Sequence, residues 1–307
     1  MPMKKGFGLE LLDRVQNEGI IHQELIESIE QETKRNLVCY TSNFPHPAGA
    51  IMEEDDRWIE TVLKSLDLGK FENKLDLMIH TRGGDPTSAQ KIVETCRTYS
   101  SGFRVIVAKT AMSAGTLIAM AGDSIVMRET SELGPIDPQM FMRTPAGDVL
   151  RPASAWVEAY LDLINKAQQS IMNNKPPHPY LQQLASMDPT WIQLCVKARN
   201  LSRTIAEGYL KEYMLRSKAE PEIKEIVEKF ITTGEKLAHG FAIRPARAKE
   251  FGLTEIEVIN KDSDLDKLIW ELLVRTENYV QRKHLAKYIV SRTGGINVQV
   301  EAVRILA

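Results

Sequence analysis

Apolar and polar positions alternate along the chain in two rhythms, one helical and one extended. From Leu9 to about Lys34 the apolar residues are spaced for one face of an amphipathic helix rich in Glu and Gln. A short β-like run follows, Asn36 to Ser42 (NLVCYTS), ended by the turn-forming NFPHPAG. The stretch EEDDRWIETVLKSL then places Trp58, Ile59, Val62, Leu63 and Leu66 on one helical face, and its acidic first turn suits the positive end of the helix dipole. A second strand, Lys74 to Thr81, runs into RGGDP and then into the helix TSAQKIVETCRTYS. Asp85 is a fitting N-cap for that helix and Pro86 a fitting first residue. A third strand, Phe103 to Thr110, runs into AMSAGTLIAMAG, which reads as a helix, and Ser124 to Met127 reads as a fourth strand. Strands alternating with helices predict right-handed βαβ crossovers and a mainly parallel sheet.

The pattern changes after Pro152. As far as about Ser217 it is helical, interrupted by NNKPPHPY, whose prolines mark a loop. The stretch PEIKEIVEKFITTGEKLAHGFAIRPARAKEFGL reads as helix, turn and helix, with a short strand after Gly252. Beyond Asp262 the chain is charged and then helical through LDKLIWELLVRTENYVQRKHLAKYIV. It ends in the alternating GINVQVEAVRIL, which suits a strand added at a sheet edge or an interface. The expected organisation is an N-terminal helical segment (1–35), an α/β domain (36–260) and a C-terminal helical extension with a strand-like tail (261–307).

Composition narrows the function classes. With 43% apolar residues, 26% charged residues and a formal net charge of −2, the 307-residue chain reads as an ordinary globular protein. Its basic residues are not gathered in one block, so nucleic acid is not expected as a partner. The three cysteines, Cys39, Cys96 and Cys195, are far apart, which suits a reducing compartment and neither a disulfide framework nor a zinc site. The N-terminus lacks the apolar core of a signal peptide, and no run approaches a membrane span, so a cytoplasmic protein without a membrane anchor is expected.

Two small-residue turns fall where parallel strands end, which is where α/β sheets collect ligands and catalytic groups. In Met112-Ser113-Ala114-Gly115-Thr116 a serine lies between a strand and a helix. Such a hydroxyl can stand exposed on a sharp turn, as in a nucleophile elbow, or serve only as a helix cap. Gly83-Gly84 lies one strand earlier. A glycine pair can turn its N–H groups outward, and each donor aimed at a developing oxyanion contributes on the order of a hundredfold in rate.

The stretches HTRGGDP, AMSAGTLIAMAGDSIVM and LGPIDPQ resemble the Clp-fold serine peptidases, above all the SDH-type (serine dehydrogenase proteinase) family, related to signal peptide peptidase A and to the Clp proteolytic subunit. The resemblance covers residues 37–257. It implies a Clp/crotonase-like spiral of βαβ units and peptide-bond hydrolysis without metal or cofactor, on peptides or unfolded polypeptides. It implies Ser113 as nucleophile, an oxyanion hole from Gly84 with Gly83 and the N–H of Ala114, and assembly into a homo-oligomer. Arg82 departs from the family, which usually has proline there.

The proton acceptor is less marked. The Clp proteolytic subunit has a histidine shortly after its serine, where this chain reads Pro135-Ile136-Asp137-Pro138. Signal peptide peptidase A-like enzymes use a lysine further on, and Lys166 lies at the corresponding distance. As a base it would need burial to lower its pKa, and its spacing from Asp162 equally suits an ion pair on a helix surface. His239, in LAHG, matches a histidine-glycine pair of the family and is the second candidate. Asp137 is a candidate orienting residue. Lys109 and His80 lie close to the two turns, His80 with a structural role the more natural. Two other readings stand beside the peptidase: a catalytically inactive oligomeric scaffold, and an acyl-CoA enzyme of the crotonase type, against which the MSAG serine counts.

Overall fold

The computed structural model describes residues 18–144, 147–236 and 240–300. Helix α1 (Glu18–Thr33) leads into β1 (Asn36–Ser42), and the chain continues through α2 (Asp55–Lys64), β2 (Lys74–Thr81), α3 (Pro86–Tyr99), β3 (Gly102–Ala111), α4 (Ala114–Met120), β4 (Ile125–Arg128) and the short β5 (Glu132–Leu133). A hairpin of β6 (Gln139–Thr144) and β7 (Gly147–Pro152) follows, then helices α5 (Ala153–Met172), α6 (His178–Ala185), α7 (Pro189–Glu212), α8 (Glu220–Lys236) and α9 (Pro245–Phe251). Next come β8 (Ile256–Ile259), α10 (Asp264–Arg282), β9 (Leu285–Ser291) and β10 (Gly294–Gln299).

Alternation within the strands decides the architecture. In β1, Val38 and Tyr40 face one layer while Leu37 and Cys39 face the other, and every residue of the strand is buried. A strand covered on both faces belongs to a sheet sandwiched between helices. One layer packs Ile59, Val62 and Leu63 of α2 and Ile92, Val93 and Cys96 of α3 against the sheet. The other packs Ile26 and Ile29 of α1 and Ile269, Leu272 and Leu273 of α10. The fold is therefore α/β, with strand order β10-β9-β1-β2-β3-β4-β8. The run from β1 to β8 is parallel, and β9 and β10 are antiparallel additions at one edge. Asp76 is a charge inside β2 because Arg35 and Arg104 reach it from either side, the latter at 2.7 Å. A buried carboxylate persists only with such partners.

Several expectations need correction. HLAKYIV was read as the end of a helix, but His284 turns the chain at φ 52° and Leu285–Ser291 is a fully buried strand paired with β1. The segment beyond 261 therefore adds two strands to the central sheet. The β6–β7 hairpin was not anticipated. Part of NNKPPHPY is helical, since α6 starts at His178 with a proline in its first turn, where the missing N–H costs nothing. GINVQV does form an edge strand, β10. Residues 9–17 and 301–307, which carried part of the first and last expectations, lie outside the described residues. Among those described, no helix is long and apolar enough to cross a membrane.

Candidate active site

The site begins with the pairing of β2 and β3. Their register sets Thr81 opposite Ala111, so RGGDP and MSAG leave the sheet side by side. Thr81 ties the two turns: its carbonyl accepts the Met112 N–H at 3.1 Å, and its Oγ1 accepts the Gly83 N–H at 3.1 Å. Gly83 has φ 90°, and a Cβ there would lie 2.4 Å from the Met112 carbonyl oxygen and 2.8 Å from the Ser113 Cβ. Only glycine allows that turn and that approach. Thr116, fully buried, has its hydroxyl 2.8 Å from the carbonyls of both Ala111 and Gly134, between which its one proton is shared, and accepts the Gly134 N–H at 3.0 Å, so fixing the start of α4 against the LGP segment.

Ser113 occupies the N-cap position of α4 and does not act as a cap. Its φ of 51° and ψ of −115° lie outside the regions comfortable for a residue with a Cβ, and its side chain makes no cap hydrogen bond. Such a backbone costs about 1–3 kcal/mol, which the surrounding packing must hold in place. The hydroxyl is thereby turned out of the helix, toward a cleft.

The Gly84 turn is clamped from the other side by Ile51. The Ile51 N–H donates to the Gly83 carbonyl at 2.8 Å, and the Ile51 carbonyl accepts the Asp85 N–H at 2.9 Å. A Cβ on Gly84 would lie 2.2 Å from the Ile51 oxygen. Among the described residues, the N–H groups of Gly84 and Ala114 have no acceptor, whereas that of Gly83 is taken by Thr81. The expected donor set of Gly83, Gly84 and Ala114 thus resolves into two available donors and one structural bond.

These groups open into a cleft of about 350 Å³. Gly83, Gly84, Ser113 and Ala114 form one wall with Arg82 and Pro86, while Pro138, Gln139, Leu150, Leu117, Ala50 and Ser202 form the rest. Leu150 comes from the β6–β7 hairpin and Ser202 from α7. Asp137 is fully buried and accepts from the Gln139 side chain at 3.3 Å.

Lys166, His80 and Lys109 do not line the cleft. Lys166 is half exposed on α5 and pairs with Asp162 at 2.7 Å; the hydrogen bond to that carboxylate raises its pKa, opposite to what a base requires. His80 is buried on the α10 side, its Nε2 2.9 Å from Glu277 and its ring stacked on Phe44, a structural arrangement. Lys109 donates to the Thr130 carbonyl at 3.2 Å. His239 lies outside the described residues. Sequence reasoning missed Thr81, Ile51, Thr116, Leu150 and Ser202. A buried threonine or an isolated isoleucine after a proline-rich turn carries no local signal of such a part. Among the described residues, no group of three or more His, Cys, Asp or Glu side chains could hold a metal ion.

Both turns fall within a stretch of sequence that resembles known proteins. Residues 47–159, which contain both turns, match the sequence profile of the ClpP-like SDH-type serine proteinases. Uncharacterized protein MJ0137 of Methanocaldococcus jannaschii is 42% identical over 81 residues, 26% of this chain and 28% of that protein. Uncharacterized protein MJ1495 of the same organism is 26% identical over 214 residues, 70% of this chain and 61% of that one. The chain thus spans less than two thirds of the length of these relatives. Among solved structures, a mutant of the 1510-N membrane-bound stomatin-specific protease matches 83% of this chain and 86% of that chain, at 13% identity and a TM-score of 0.43.

Proposed function

We propose that this chain, whose residues 47–159 match the profile of the ClpP-like SDH-type serine proteinases, hydrolyses peptide bonds through a Ser113 acyl-enzyme. The observation that carries the reading is the conjunction at the β2 and β3 ends. A serine held at φ 51° without a cap bond lies beside two unengaged backbone donors, Gly84 and Ala114.

In the first step the Ser113 Oγ bonds to the substrate carbonyl carbon and its proton passes to a base. The carbonyl oxygen becomes an anion that accepts from the N–H groups of Gly84 and Ala114. The C–N bond then breaks, and the base returns the proton to the leaving amine. Water repeats the sequence on the ester, releasing a carboxylic acid and restoring Ser113.

The base in this reading is His239. Supporting it, Ile243, four positions later, exchanges two backbone hydrogen bonds with Leu133 at 3.0 and 2.8 Å, and Leu133 pairs with Ala111 just before the nucleophile turn. Imidazole also needs less tuning than an ammonium for this work. The substrate class is peptides or unfolded polypeptide laid along the cleft.

Fluorophosphonate labelling tests the proposal. The native chain should label at one site and Ser113→Ala at none. His239→Ala should label at least about a hundredfold more slowly, and Lys166→Ala at nearly the native rate. A native chain that stays unlabelled while folded refutes the peptidase reading, and full labelling of His239→Ala refutes the base.

A further inference from the structure

Among the described residues, Arg82 is the one charged side chain that lines the cleft. It is exposed and has no ion-pair or hydrogen-bond partner among the described residues. The carboxylates near it in sequence are engaged elsewhere. Asp85 caps α3, accepting from the N–H and Oγ of Ser88 at 2.6 and 2.8 Å, and Glu53 faces Lys91 at 3.6 Å. Among the described residues, the cleft around Arg82 is otherwise uncharged, with Pro86, Leu117, Pro138 and Leu150 in its walls.

We infer that Arg82 selects substrates carrying a carboxylate next to the scissile bond. The inference rests on the reading of Gly84 as an oxyanion donor. Arg82 precedes Gly84 by two residues, so their Cα atoms are at most about 7.6 Å apart. The guanidinium, on its long side chain, sweeps the space occupied by the residues flanking a carbonyl held on the Gly84 N–H. Guanidinium offers five donors and no acceptor, in a fork that fits a carboxylate at two points. Apolar walls beside it weaken solvent screening and sharpen the preference. The carboxylate has two sources, an Asp or Glu side chain or a free C-terminus, and both meet the same group.

Matched peptides decide it. Each carries Glu or Gln beside the cleavage position, and each is made with a free and an amidated C-terminus. Binding of the fluorescein-labelled series is measured on full-length Ser113→Ala protein, and turnover of the same series on the native chain. An exposed charge-assisted pair should favour Glu over Gln, or free acid over amide, by on the order of tenfold at low salt, shrinking as salt is raised. In Arg82→Gln the ratio should fall to about one, and in Arg82→Glu it should invert. Equal binding of all four peptides by the Ser113→Ala protein overturns the inference, as does a ratio that survives Arg82→Gln. Absence of turnover by the native chain with an Arg82-dependent Glu preference in binding refutes the peptidase and with it the placement beside a scissile bond, leaving Arg82 as a carboxylate-binding residue of the cleft, so the two failures are distinct.

Discussion

Replacing Lys287 with methionine removes one half of an ion pair from which water is excluded. Lys287 on β9 and Asp55 at the start of α2 are both fully buried, with the Nζ 2.7 and 2.9 Å from the two carboxylate oxygens. Asp55 also accepts from the Tyr40 hydroxyl at 2.7 Å and the Met52 N–H at 3.1 Å. Burial pushes the Asp55 carboxyl up and the Lys287 ammonium down, and each is held back by the other. Removing one partner leaves an unpaired buried charge, which costs about 3–5 kcal/mol. In the variant Asp55 has a folded pKa well above its unfolded value, so the folded state binds more protons. Stability is then fullest below about pH 4 and is lost as pH rises toward the folded value. Urea titrations of native and Lys287→Met protein at about pH 5 and about pH 8 should show the larger loss at the higher pH. Adding Asp55→Asn, which removes the charge and keeps an acceptor for Tyr40 and Met52, should recover most of it. A loss at pH 8 under about 1 kcal/mol, or one that grows toward acid, would refute the reasoning. The effect should also reach the site, because Met52 follows the Ile51 that clamps Gly84, so folded variant should label more slowly.

Gly84→Ala should slow labelling of Ser113 by a hundredfold or more, on the order expected for a lost oxyanion donor, because the new Cβ meets Ile51 backbone at 2.2 Å; a native rate in the folded variant would exclude the donor. Ser113→Gly should raise stability by about 1 kcal/mol, since glycine adopts φ 51° without strain, while abolishing labelling; thermal melts read the gain. His22 is buried, and burial lowers its pKa to about 4. Stability is therefore complete above the unfolded value near pH 6.5 and is lost as pH falls toward 4, by about 3 kcal/mol, a slope that His22→Phe should flatten in pH-dependent melts. Ile171 and Met172 are 60% and 81% exposed at the end of α5, a surface suited to another copy of the chain. Sedimentation should therefore give a mass above 34.7 kDa that falls on Met172→Lys, and a monomer at micromolar concentration would exclude assembly through that face.

The strands that carry the site were legible because each is an apolar run closed by a turn residue with one obvious purpose. Gly83-Gly84, Asp85-Pro86 and Ser113-Ala114-Gly115 are short-range signals, readable from adjacent residues. Sequence left Ser113 balanced between cap and nucleophile, since both need a serine at a helix start; the missing cap bond speaks against the cap alone, and the nucleophile is the role proposed above. What escaped notice depends on long-range contact. Tyr288, Ile289 and Val290 continue the apolar spacing of α10, and only pairing with β1 draws them into a strand. Lys166 met the family's spacing, yet distance along a sequence says nothing about burial, and α5 buries only Ala153, Ser154 and Ala167.

The position of β9 has a consequence for the order in which the molecule is made. Lys287 lies far along the chain, yet it neutralises the carboxylate that steadies Met52 and, through Ile51, the Gly84 turn. During synthesis β1 to β4 emerge long before their edge partner, and such distant pairing is slow to form. A nascent or truncated chain therefore already holds Ser113 while the loop behind the Gly84 turn is still unsecured. On the proposed reading, labelling of Ser113 should reach its full rate only once β9 has paired with β1, and a chain ending before residue 285 should label more slowly.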